Sequence, residues 1–184
     1  MQTARDGLES LRVSAPFVLA MLPNIEEITV ENTGEKFRYM REGKCALEHM
    51  DGNMKIIPFS ENQSKLFCDF PLIGTDDFPF PVLISSPDFN PTEPRDGVFL
   101  TCKNTVRIDE EIEVNRSIIE KACGLYEHLL EYVAKKKWDG IYNITKVNAY
   151  STKEWYDEEW LEEIITKCKD VILHIPIVHT ACGD

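Results

Sequence analysis

Phe80-Pro81-Val82-Leu83-Ile84, then Ser85-Ser86-Pro87-Asp88-Phe89-Asn90-Pro91-Thr92-Glu93-Pro94-Arg95-Asp96-Gly97, then Val98-Phe99-Leu100-Thr101 form one continuous stretch, and its middle decides the fold. The outer runs are short and rich in branched and aromatic residues, which predicts buried strands on either side of a polar loop. Pro87, Pro91 and Pro94 remove amide donors and fix backbone angles. The loop is therefore expected to stand off the sheet and to present side chains from it. Arg95 is the foremost of these: a permanent cation with a planar fork of donors suited to phosphate or carboxylate. The plainer alternative is that Arg95 pairs with neighbouring Glu93 and Asp96 and only holds the turn.

N-terminal to this stretch the chain reads as strands. Ile28 and Val30 alternate with polar neighbours, as do Phe37 and Tyr39, and Asn32-Thr33-Gly34-Glu35 between them is a turn signal, so a β-hairpin is expected. Cys45 to Met50 and Met54 to Phe59 flank Asp51-Gly52-Asn53 and repeat the arrangement. Leu66-Phe67-Cys68-Asp69-Phe70-Pro71-Leu72-Ile73-Gly74 is a further strand that must end near Pro71, because proline cannot donate to a central ladder. The aromatics of this region alternate at strand period and are read as core, not as a ligand platform. Residues 7–22 carry apolar positions that suit a short helix or packed arm broken at Pro16.

C-terminal to it the period changes. From about Val114 the set Ile118, Ile119, Ala122, Leu125, Tyr126, Leu129, Leu130 and Val133 recurs at three and four, and Lys135-Lys136-Lys137 complements the helix dipole. Trp138-Asp139-Gly140 ends this helix. A second is expected over 152–169, opened by a capping box of Ser151 and Glu154 and carrying Trp160, Leu161, Ile164, Ile165 and Cys168 on one stripe. The last apolar run, residues 171–178, reads as an edge strand or as the first element of whatever follows. Strands first and helices second give an α+β class, a mostly antiparallel sheet in the first half with two helices in the second. Residues 1–24 are expected to be an arm or linker, 25–178 one domain and 179–184 a tail. An apolar run so close to the last residue also predicts a piece of a longer polypeptide.

Composition narrows the function classes. A chain of 184 residues with 43% hydrophobic residues folds around a core. Its formal charge of −12 repels phosphate backbones and anionic lipid, which argues against nucleic-acid and membrane partners. Cys45, Cys68, Cys102, Cys123, Cys168 and Cys182 are scattered without a CxxC pair, the pattern of reduced thiols in a cytoplasmic protein. His174, His179 and Cys182 fit no closed structural zinc set, so no metal site is expected. His128 reads as a packing or rim residue of the long helix, and His49 falls in a hairpin. No Gly-rich phosphate cradle, nucleophile elbow or HExxH motif occurs, so the chain by itself is not expected to be a catalyst.

One resemblance follows from the Arg95 loop and the helix behind it. A strand, a polar loop ending in Pro94-Arg95-Asp96-Gly97-Val98-Phe99-Leu100, a spacer, and then Asn115-Arg116-Ser117-Ile118-Ile119-Glu120-Lys121-Ala122 with Tyr126 and Leu129-Leu130 resemble the segment behind the ATPase domain of sacsin-like proteins. More distantly they resemble the middle domain of the ninety-kilodalton heat-shock chaperones, which share the GHKL ATPase superfamily. The likeness covers roughly residues 66–133, and 8–32 and 138–178 more weakly. It implies an α/β transducer domain whose loop arginine, here Arg95, reaches the γ-phosphate of ATP held by a preceding domain of the same polypeptide. ATP and Mg would come with that upstream domain; no cofactor-binding residue is implied within this chain, and a homo-oligomer is compatible with it. The competing expectation is a self-contained acidic protein-interaction module, docking through sheet edges or the aromatic-rich 66–89 region, with Arg95 a turn residue.

Overall fold

The computed structural model describes residues 63–101 and 109–176, together with 27–31, 34–38 and positions 5, 8, 11, 15, 18, 19, 25, 56 and 59. The chain is α+β. Strands β1 (Glu27–Val30) and β2 (Glu35–Arg38) pair antiparallel, Val30 opposite Glu35. Gly34 closes their turn in the left-handed region, φ 69°, with its amide donating to Val30 O, as the turn signal predicts. The second expected hairpin, over 45–59, lies outside the described residues except for Ile56 and Phe59. Arg5, Leu8, Leu11, Ala15, Val18 and Leu19 are helical, and Ala15 and Leu19 are buried.

The expected strand over 66–74 is two strands. β3 (Leu66–Cys68) and β4 (Phe70–Pro71) fold back on each other antiparallel, Cys68 opposite Phe70. Asp69 alone makes the reversal, in the left-handed region at φ 59°. Short Asp tolerates that conformation better than most residues, and an alternation pattern cannot register it. β5 (Ile84–Ser85) lies parallel on the other side of β3, so β3 is central in a sheet ordered β4-β3-β5. The strands expected at 80–84 and 98–101 are thus mostly irregular: only Ile84 and Ser85 join the sheet, and Val98 makes a single bridge to Pro91. Pro79 and Pro81 have no amide to give a ladder, and Phe78 and Phe80 are spent on the core, each 1% exposed.

Helix α1 spans Asp109–Lys136 and α2 spans Glu158–Leu173. α1 begins five residues before the expected Val114, because Asp109, Glu110 and Glu111 form an acidic first turn that suits the positive end of the dipole but has no apolar period. Its end is a Schellman arrangement built without glycine. Lys137 takes φ 54°, its amide reaches Ala134 O, the Trp138 amide reaches Val133 O, and the Trp138 ring packs edge-on to Tyr132. α2 is capped by Asp157, whose side chain accepts from the Trp160 amide, and not by the expected Ser151 box. Ser151 and Lys153 are committed elsewhere, both to the Asp77 carboxylate. At the other end, Val171–Leu173 are the last turn of α2, which corrects the edge strand expected there.

Tyr126 and Leu130 of α1, Leu161 and Ile164 of α2, and Leu66, Phe80 and Leu100 of the strand and loop half meet in one core. Phe80 packs edge-on to Tyr126, and the Tyr126 hydroxyl donates to Ile144 O in the single 3-10 turn, Ile141–Ile144, that links the helices. No helix among the described residues is long and apolar enough to cross a membrane.

Candidate functional site

The segment between Asn90 and Leu100 is a small hairpin of its own. Pro91 bridges Val98, the Thr92 amide donates to Gly97 O, and the Arg95 amide donates to Thr92 O. The Thr92 hydroxyl sits at the centre, donating to Asp96 Oδ1 at 2.6 Å and accepting from the Asp96 amide at 3.1 Å. Arg95 turns the tip with φ 56°, an uncommon backbone for a residue with a long side chain and one that persists only where surrounding bonds over-determine it. The prolines therefore keep the loop out of the main sheet, as expected, while its remaining donors close it on itself.

Three attachments hold this hairpin to the body. Asn115, in the second turn of α1 and fully buried, accepts from the Asn90 amide at 2.8 Å and donates to Asn90 O and Phe99 O, both at 3.0 Å. One carboxamide thus spans both arms of the loop. Arg116 donates from Nε and Nη2 to Leu100 O, forms a 2.6 Å ion pair with Asp157, and lies over the Trp160 ring. It ties the outgoing arm to the cap of α2. Gly97 packs under Trp155 so closely that a Cβ there would stand 2.1 Å from the indole, and the Leu100 amide donates to Trp155 O. Only glycine fits at that contact.

At the exposed tip, Arg95 Nη2 donates to Cys68 O at 2.7 Å, across to the end of β3. Asp96 is taken up by Thr92, and the ion pairs with Glu93 and Asp96 that the plainer alternative requires are not among the contacts of the described residues. The guanidinium is braced on one carbonyl through Nη2. Phe70 and Ile73, 59% and 77% exposed, lie two and five residues after Cys68, and Gly74 approaches the Asp96 side chain. The tip is thus a cation beside an apolar rim.

Gly74 also borders a small ionic cluster. Lys153 contacts Asp77 at 2.6 Å and Gly74 O, and the Ser151 hydroxyl donates to Asp77 Oδ2. Burial works to raise the Asp77 carboxyl, but the bonds from Lys153 and Ser151 outweigh it and hold it below the ordinary carboxylate value. Two open grooves, of about 640 and 570 Å³, run along the start of α2 beside Glu158, and Arg95 lines neither.

Of the other residues weighed in the sequence, His128 is exposed and 3.7 Å from Glu131 on its own helix. His174 ends α2 with Nδ1 2.6 Å from Asp170 O; His49, His179 and Cys182 lie outside the described residues. The lashing roles of Asn115 and Arg116 were missed. An Asn inside an otherwise apolar helical stripe is the one sequence signal that could have raised the first; nothing local distinguishes Arg116 from a solvated arginine. No protein-family model, curated protein or solved structure matches this chain.

Proposed function

We propose that this chain is the non-catalytic transducer, or middle, region of a larger sacsin-like GHKL protein of chaperone type. In this reading the strand-rich first half and the two helices form the transducer domain of a cytoplasmic protein. Arg95 is offered toward the terminal phosphate of ATP held, with Mg, by a separate domain of the same polypeptide. One observation carries the reading. Arg95 is exposed at the tip of a hairpin fixed at three points, and is braced by one backbone carbonyl instead of being neutralised by its flanking acids. A guanidinium preorganised in that way stabilises charge developing on a transferring phosphoryl group without a reorganisation cost at the moment of reaction. Its planar fork fits phosphate bidentately, which the point charge of lysine does not reproduce.

In the polypeptide that carries the ATP-binding domain, Arg95→Ala lowers ATP turnover by about 100-fold, the scale of losing one preorganised charge-stabilising donor. Nucleotide affinity stays within about twofold, because uniform binding comes from the other domain. Arg95→Lys restores little of the loss. Turnover unchanged in Arg95→Ala removes this residue from the mechanism.

A second reading, an acidic protein-interaction module without a nucleotide role, draws on exposed Phe70 and Ile73 beside the same tip. There, Arg95→Ala leaves turnover untouched, while serine at positions 70 and 73 abolishes partner association.

A further inference from the structure

Helix α1 buries one face in the core through Ile112, Asn115, Ile119, Tyr126, Leu130 and Val133. On its outward side Val114, Ile118, Lys121, Leu125, His128 and Tyr132 recur at intervals of four and three, the spacing of a seam between two helices. Ile118 is half-buried against the core; the other five are exposed, Leu125 at 69%. Val114, Leu125 and Tyr132 thus carry apolar surface along the solvent side of the helix, where this fold leaves it open to water. Gly124, beside Leu125, is exposed as well, and a Cβ there would meet nothing within 4 Å. A glycine inside a helix costs about 1 kcal/mol relative to alanine. No contact within this fold requires it, whereas a second helix crossing close to the midpoint of the stripe would use the space.

We propose that this outward face of α1 is the interface of a two-fold symmetric dimer, in which the α1 helix of a second copy of the chain lies along it antiparallel. The stripe is complementary to itself only in that arrangement. Val114 and Tyr132, Ile118 and His128, and Lys121 and Leu125 are three pairs with one common midpoint, position 123. A two-fold axis there sets each residue against its counterpart in the partner: Val114 on the partner's Tyr132, Ile118 on the partner's His128, and the stem of Lys121 on the partner's Leu125. The charged ends obey the same symmetry. Glu110 continues the stripe one turn before Val114, Lys136 continues it one turn after Tyr132, and the two share that midpoint, so Glu110 faces the partner's Lys136. The Lys136 ammonium lies over the Tyr132 ring of its own helix, 5.8 Å from the centre, which keeps it at the end of the stripe. A parallel pair would set acid on acid at one end and lysine on lysine at the other. The seam from Glu110 to Lys136 is about 39 Å long. At about 10 Å across it buries on the order of 800 Å² over both copies, less than a standard interface, so the dimer is reversible, with a dissociation constant on the order of 10–100 μM.

The interface is independent of the nucleotide reading, and its test needs no ATP. Sedimentation equilibrium of the whole chain at about 0.15 M salt, where the repulsion between two chains of net charge −12 is largely screened, gives the dissociation constant. Leu125→Asp, at the middle of the seam in both copies, weakens the dimer more than about tenfold. Glu110→Lys alone and Lys136→Glu alone each weaken it about tenfold, since either one opposes like charges at both ends of the seam. The first of these makes the chain less acidic and the second more so, which separates pairing from net charge. The double swap, Glu110→Lys with Lys136→Glu, restores the constant to within about threefold of wild type. All four positions are exposed, and circular dichroism checks that each variant keeps its helices. A wild type that stays monomeric up to about 500 μM, a dimer indifferent to Leu125→Asp, or a double swap no better than the single changes overturns the proposal.

Discussion

Lys65 is 3% exposed, donates to Phe80 O at 3.1 Å and lies 4.4 Å from the centre of the Phe59 ring. Among the described residues no carboxylate is paired with it, and burial brings its ammonium from the ordinary 10.5 down to about 8. Below pH 8 the amine is charged in folded and unfolded chains alike, so folding bears the whole desolvation cost. Between about 8 and 10.5 the unfolded chain holds the proton that the folded one has shed, so stability rises with pH through that window. The difference between those two values corresponds to about 3 kcal/mol withheld at pH 7. Lys65→Met removes the charge at similar volume but leaves Phe80 O without its donor, which costs about 1 kcal/mol. The variant is therefore expected to be about 2 kcal/mol more stable at pH 7, and its advantage to shrink as pH rises through 9. Urea midpoints of both proteins at several pH values decide it; a methionine variant weaker than wild type at pH 7 means that the ammonium has a counter-ion.

The hairpin between Asn90 and Leu100 owes its shape to α1 more than to its own turn. Asn115→Ala strips partners from the Asn90 amide, Asn90 O and Phe99 O at once, and at roughly 1 kcal/mol for each the loss is about 3 kcal/mol. Asn115→Asp keeps the acceptor for the Asn90 amide but sets an oxygen against two carbonyls, so it fares no better. The same variants lose protection of the Asn90 amide against hydrogen exchange; a loss under about 1 kcal/mol with protection intact would show the loop holding itself. Elements of this kind mark where sequence reasoning stops. The two helices were legible because apolar residues at three and four announce the buried stripe, and Gly34 announced the first hairpin. Their ends were not. The acidic first turn of α1 has no apolar period, and Ser151 is as good a cap as Asp157 until Asp77, far earlier in the chain, claims it. Arg95 was legible as a candidate by residue type and loop context. Its carbonyl brace and the span of Asn115 depend on contacts between distant segments, which no local pattern encodes.

At the scale of the whole molecule, charge and the location of the cation bear on where nucleotide chemistry could occur. The chain carries a net −12, and its candidate phosphate contact is one exposed guanidinium at the rim. An exposed charge pair contributes at most about 1 kcal/mol, whereas even a millimolar complex needs about 4 kcal/mol of binding free energy. The surrounding field lowers the local concentration of a polyanion further, and Mg screens the triphosphate without adding a protein contact. This chain alone is thus expected to give no saturable heat with Mg-ATP at about millimolar concentration in a calorimeter, and no phosphate release. If the proposed reading holds, adding an ATP-binding domain in trans is expected to produce turnover that Arg95→Ala lowers, since the guanidinium gains its effect once water is excluded between two surfaces. Phe70 and Ile73 beside the tip would supply apolar surface to seal that contact. Micromolar binding by this chain alone would instead mean that it holds a complete nucleotide site, and Arg95 would then act within its own fold and not across to a neighbouring domain.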